Sequence, residues 1–257
     1  MTAKKVDKAR EAAVSTYSLI GETLGELSDI IPYNKQSQDA LFMITSHESQ
    51  NGLAGRRQVT SGGKADGVAR GITQVEPKTF DDIYNRYLVS PHPKKTYEKR
   101  QKLRQRLAEI AGVEDPSEVT PDMLVDNDKL AIALARVKLY TVPDALPKPS
   151  SPDYLERLAD YNKKHYNAGG AATPVKYLND FLLYSPYVPD YSQPKKTAGL
   201  GKDSAEQVIS PQAQELASIG VAPMQPQMQG LAPQPQPSAY PSYGGSGLAP
   251  ASEVLRF

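Results

Sequence analysis

Apolar residues through the first two thirds of this chain recur at spacings of three and four. Ala13, Tyr17, Ile20, Leu24, Leu27 and Ile31 follow this rule, as do Leu130, Leu134 and Val137, and again Leu155, Leu158, Ala159 and Asn162. That period puts side chains on one face of an α-helix, whereas a half-buried strand would alternate. Pro and Gly divide the periodic blocks. Pro32 ends the first, Pro77, Pro121, Pro152 and Pro174 suit first helical turns, and Gly112 and Gly169-Gly170 stop others. The pattern predicts helices over 3–31, 37–49, 77–88, 94–112 and 121–140, one starting at 151–153, and a last over 174–184. Residues 50–70 are Gly-rich, polar and aperiodic, which predicts a loop with short extended pieces. The fold class is therefore mainly α, with one small irregular or β-containing loop region.

Composition sets the domain limits. Between Leu216 and Ser252 there is no Asp, Glu, Lys or Arg, and Pro, Gln, Gly, Ser and Ala dominate. Such a segment cannot bury enough apolar surface to offset the entropy of ordering it. The expected organisation is an amphipathic N-terminal helix at 1–33, a helical domain at 34–186, and a low-complexity tail at 187–257 that is disordered or serves for docking. Gly-Val-Ala-Pro at 220–223 and Gly-Leu-Ala-Pro at 230–233 and 247–250 form a weak repeat within that tail. The stripe of the first helix fits either packing on its own domain or a partner.

Several function classes are disfavoured. The formal charge is +1, which offers no global reason for a specific nucleic-acid partner. With 0 Cys and 3 His, neither a thiolate metal site nor a His-rich one is expected, and no cofactor motif is present. No apolar run approaches the roughly 20 residues that span a bilayer. The N-terminal lysines are followed by no apolar stretch, so no secretory signal is expected. The basic run from Lys94 to Arg106 reads as a solvated face or a surface for anionic polymers or partner proteins.

One carboxylate stands out. Leu41, Ile44, Thr45 and Glu48 share a helix face, so Glu48 sits at the last turn beside the core. Partial loss of water and the negative end of the helix dipole both favour the protonated form of such a carboxyl. A protonated glutamate is what a general acid needs to protonate a glycosidic oxygen, although a lone Glu at a helix end is more often a solvated one. Gly71-Ile72-Thr73-Gln74 then forms a turn that ends in an amide, which both donates and accepts as sugar recognition requires. Tyr166-Asn167-Ala168-Gly169 closes a later helix with a ring and a hydroxyl suited to a sugar. A second pair, Tyr161-Asn162, competes with it, and the pair followed by Ala-Gly is preferred.

Taken in order, Glu48-Ser49, then Gly71-Ile72-Thr73-Gln74-Val75-Glu76-Pro77-Lys78-Thr79, then Tyr166-Asn167-Ala168-Gly169 resembles the three-part signature of soluble lytic transglycosylases with a goose-lysozyme-like fold. The resemblance covers about 35–185, and the stretch from Ala69 to Phe80 is most similar to forms found in tailed phages. It implies a lysozyme-like helical domain that cleaves the β-1,4 bond between N-acetylmuramic acid and N-acetylglucosamine in peptidoglycan, with a 1,6-anhydro product. It implies Glu48 as the acid/base, Gln74 and Tyr166 as sugar contacts, Asn167 as an ordering residue, and Ser49 in support. It also implies a virion protein acting at the host periplasm and cell wall, docked to other virion proteins through the N-terminal helix or the tail. The alternatives are a peptidoglycan hydrolase of the lysozyme or endolysin type, with Glu76 or Asp66 as second carboxylate, and an inactive structural virion protein. The segment between Gln50 and Arg70 departs from the family pattern, and Thr73 stands where the family usually has Met.

Overall fold

A computed structural model describes residues 3–59 and 63–188. The expected low-complexity tail and its repeats, beyond Val188, lie outside the described residues. The elements are α1 (Ala3–Glu26), α2 (Lys35–Ser49), α3 (Pro77–Phe80) running into a π-helical turn (Asp81–Tyr87), α4 (Lys94–Ala111), α5 (Met123–Asp126), α6 (Asp128–Tyr140), α7 (Tyr154–His165) and α8 (Pro174–Tyr184). The fold is mainly α. Among the described residues, extended pairing is confined to isolated bridges of Arg70 with Arg57 and with Val75.

Two helices form the centre, and their sequences say why. In α2 every residue from Ser37 to Ser46 is buried, and in α6 every residue from Leu130 to Val137 is buried. Each carries an apolar stretch at its centre, Ala40–Ile44 in α2 and Leu130–Ala135 in α6, and α2 packs against α1, α6, α7 and α8. The apolar stripe of α1, from Ala13 through Tyr17, Ile20 and Leu24, and Leu27 just beyond the helix join this same core rather than standing free for a partner. None of the helices described is long and apolar enough to cross a membrane.

Three boundaries differ from the sequence expectation. The first helix ends at Glu26, and residues 27–30 form turns that carry the buried Leu27 and Ile30. The helix expected over 121–140 breaks at Asn127, whose Oδ1 accepts Leu130 N at 2.9 Å and so caps a new helix. The helix from Pro77 widens into a π-turn, with Leu88 N donating to Ile83 O at 3.0 Å. Phe80, Ile83, Tyr84 and Leu88 are all buried there, a set that includes a five-residue step.

The basic helix α4 is less free than its charge suggests. Arg100 is buried and donates to Ser90 O, Lys99 donates to Tyr140 Oη, and Arg106 reaches Glu26 O and Asp29. Lys94, Lys95 and Lys102 remain exposed.

Candidate active site

The end of α2 delivers Glu48 to a corner built by backbone strain. Among the described residues the non-glycine positions with positive φ are Gln50 at 52°, Asn51 at 55° and Gln74 at 49°. Left-handed backbone costs an L-residue roughly 1–2 kcal/mol and persists where the surroundings enforce it, often at functional sites. Here two of them directly follow Glu48-Ser49, and the third, Gln74, lies in the turn that begins at Gly71. Asn51 shows the enforcement: its Oδ1 accepts from Thr45 Oγ1 at 2.9 Å, its Nδ2 donates to Ser46 Oγ at 3.2 Å, and its N donates to Thr45 O at 2.9 Å.

The turn from Arg70 to Val75 is closed by reciprocal backbone bonds, Arg70 N to Val75 O at 2.9 Å and Val75 N to Arg70 O at 2.8 Å. Gly71 sits at φ 75°, and a Cβ there would lie 2.6 Å from Leu124 O, so only glycine fits. Three other elements hold this turn. Ser49 Oγ donates to Ile72 O at 2.6 Å, Tyr166 Oη to Thr73 O at 2.7 Å, and Thr73 Oγ1 to Ala131 O at 3.1 Å.

The third segment completes the cluster. Asn167 Nδ2 donates to Glu48 Oε1 at 3.0 Å, across 119 positions of sequence. Of the two Tyr-Asn pairs, this is the one that reaches Glu48; Asn162 is fully buried and donates to Ala40 O. Gly170 makes room for the contact, because a Cβ there would lie 1.9 Å from Asn167 Oδ1.

The structure adds residues that the sequence reading missed. Tyr177 on α8 donates from Oη to Glu48 Oε1 at 2.7 Å. Burial, and then the nearby Glu48 charge, push the Tyr177 hydroxyl far above its usual ionisation range and keep it a donor. Its ring packs 3.9 Å from the ring of His47, which pairs through Nδ1 with Asp180 Oδ2 at 2.7 Å. His47 is thus held between α2 and α8. Lys138 on α6 is half-buried; burial lowers its pKa, opposed by the charges of Glu48 and Glu76. Tyr177 falls three residues into a Pro174-started helix, beside the buried Phe181 and Tyr184, so its spacing signalled burial without indicating a bond to Glu48.

The expected site residues now sort by position. Glu48 accepts two hydrogen bonds on Oε1 and, among the described residues, none on Oε2. Gln74 is half-buried; its Nε2 donates to Gly71 O at 2.8 Å, and among the described residues no donor takes its Oε1. Ser49 is buried and ties the corner together, its Oγ also accepting Gly52 N at 3.0 Å. Tyr166 corrects the expectation of a sugar-stacking ring: it is 7% exposed, and its hydroxyl is committed to Thr73. The reason is its register: Tyr166 caps the end of α7, four residues after Asn162 and eight after Leu158, and continues their buried side. Glu76 is exposed at the start of α3, and Asp66 is exposed in the loop.

No family model, no curated protein and no solved structure matches this chain.

Proposed function

We propose that the chain is a peptidoglycan lytic transglycosylase with Glu48 as its single acid/base, in a lysozyme-like helical domain. The observation that carries this reading is the convergence on Glu48: Asn167 and Tyr177 both donate to Oε1, which leaves Oε2 open to a substrate. In this reading Oε2, the carboxyl oxygen without a donor, is the one through which Glu48 exchanges a proton with the substrate. Glu48 gives that proton to the glycosidic oxygen as the C1–O bond breaks and the N-acetylglucosamine end leaves. The Glu48 carboxylate then takes the proton from the C6 hydroxyl of the N-acetylmuramoyl unit, and O6 closes on C1. The product is a 1,6-anhydro sugar, and Glu48 returns to its protonated form without a water being consumed. Gln74 offers its open Oε1 to a sugar hydroxyl or amide. Asn167 and Tyr177 orient the acid, and Ser49 and Tyr166 hold the frame.

The setting belongs to the same proposal. The tailed-phage resemblance of the stretch from Ala69 to Phe80 supports a virion protein that opens the host cell wall during genome ejection, with peptidoglycan strands as substrate. With the stripe of α1 spent on the core, docking to other virion proteins would fall to other surfaces.

A hydrolase is the second reading, with exposed Glu76 at the start of α3 or exposed Asp66 in the loop as its second carboxylate. Mass spectrometry of digested peptidoglycan decides between the two. Anhydro ends, lighter by one water than hydrolysis products and absent with Glu48→Gln, are expected. Reducing ends from the wild type would replace the transglycosylase by a hydrolase. Intact strands from several wall types after exposure to folded wild type would remove both and leave a structural protein.

A further inference from the structure

Two cations beside the site have no role in the chemistry above. Lys163, in the last turn of α7, donates from Nζ to Asn167 O at 2.7 Å, Ala168 O at 3.2 Å and Gly170 O at 2.6 Å. An ammonium has three donors, and three carbonyls of one short corner take them. Lys138 reaches the same corner from α6. Its Nζ donates to Tyr166 O at 2.6 Å and lies 4.2 Å from the centre of the Tyr166 ring. Helix C-termini present unpaired carbonyls and attract positive charge, so a single capping lysine here would be ordinary. Two lysines converging on 166–170 exceed what capping needs.

The cost of Lys138 strengthens the case. It interrupts a run in which Leu130 through Val137 and then Leu139 are buried, and burial works against its charge. An apolar residue would suit that position better for stability alone. What the cation gains is a fixed place for Tyr166, whose neighbour Asn167 touches Glu48. Conflict between local stability and placement is characteristic of residues that serve a site.

We propose that Lys138 and Lys163 are positioning residues that lock the 166–170 corner and thereby aim Asn167 at Glu48; their effect on turnover rests on the reading of Glu48 as the acid/base. The test has one readout independent of activity. In the folded chain, the side-chain amide protons of Asn167, followed by nuclear magnetic resonance, should exchange slowly and shift on Glu48→Gln. In Lys163→Met and in Lys138→Met they should move toward the free-amide position and exchange faster. Gly170→Ala, which forces the Asn167 side chain aside while both lysines keep their identity, should reproduce that signature. Lys138→Met should melt no lower than wild type, while both lysine variants lose about tenfold to a hundredfold in kcat, with KM changed by no more than about twofold. Asn167 signals that stay at their wild-type positions in both lysine variants would overturn the proposal. If the wild type cleaves no glycan, the amide signals still decide the clasp, and only the function reading falls.

Discussion

Gln74 holds a backbone conformation that glycine would adopt without strain. Its φ is 49°, its amide nitrogen closes the turn on Gly71 O, and its side chain leaves Oε1 open. A residue kept at such a cost has to return something that glycine cannot. Gln74→Gly is therefore expected to leave the fold as stable as wild type or more so, by up to about 1 kcal/mol, because the left-handed strain is relieved. The same change should lower glycan cleavage severalfold by removing the amide. Urea denaturation and a turnover assay on one preparation check both halves. Lower stability with full activity would make Gln74 a structural turn residue. The neighbouring Gly71 obeys the opposite rule, since Leu124 O fills the space of any Cβ. These two residues share one turn, yet only one of them is set by space.

Among the elements, α2 has the most consequence, because its two ends do different work. At its start Asn34 Oδ1 accepts Ser37 N at 2.8 Å and Ser37 Oγ accepts Asn34 N at 3.4 Å, a reciprocal cap. At its end the chain turns left-handed to expose Glu48. Asn34→Ala should cost about 1 kcal/mol in urea unfolding and leave the activity of folded molecules unchanged, since the cap lies at the far end from the acid. Loss of activity ahead of unfolding would mean that the helix transmits strain between its ends. The extents of α2, α4 and α8 were legible in sequence, the first from the spacing of Leu41 and Ile44, the others from Gly112 and Pro174 at their ends. The π-turn at 81–87 and the break at Asn127 were not, because side-chain partners in distant elements decide them: Asn127 Nδ2 also donates to Ile110 O at 2.8 Å. Glu48, Ser49, Gln74 and Asn167 could be read as short motifs. Tyr177 could not, since its bond to Glu48 spans 129 positions and no local pattern encodes it. Tyr166 was misread, although its four-residue spacing from Asn162 already placed it inward.

On the scale of the whole molecule, the core is rich in buried tyrosine, and that sets its response to alkali. Burial pushes Tyr84 and Tyr184 up to about 12 from the usual 10.0, and pushes Tyr166 and Tyr177 further still. In the unfolded chain these hydroxyls ionise near 10.0, while the folded protein holds their protons. Above that pH the folded state therefore binds more protons than the unfolded one, and stability falls as pH rises. Lys35 acts in the same direction. Burial opposes its charge, but its bonds to Asp39 and Tyr17 outweigh this and hold it above 10.5, so its contribution is complete below that value and is lost as pH climbs through the raised one. The chain contains 0 Trp, so tyrosine dominates the near-ultraviolet signal. In an alkaline titration, exposed hydroxyls such as those of Tyr33 and Tyr97 ionise first, and the remaining tyrosinate absorbance should rise in one cooperative step with the loss of the far-ultraviolet circular dichroism, because buried hydroxyls ionise only on unfolding. Smooth ionisation of every tyrosine, Tyr84, Tyr166, Tyr177 and Tyr184 included, while the helical signal persists would mean that the core admits hydroxide without opening. Tyr177→Phe separates the site from the core in this experiment: it removes one of the protons held above 10.0, and so should flatten the alkaline decline even as it takes a donor away from Glu48.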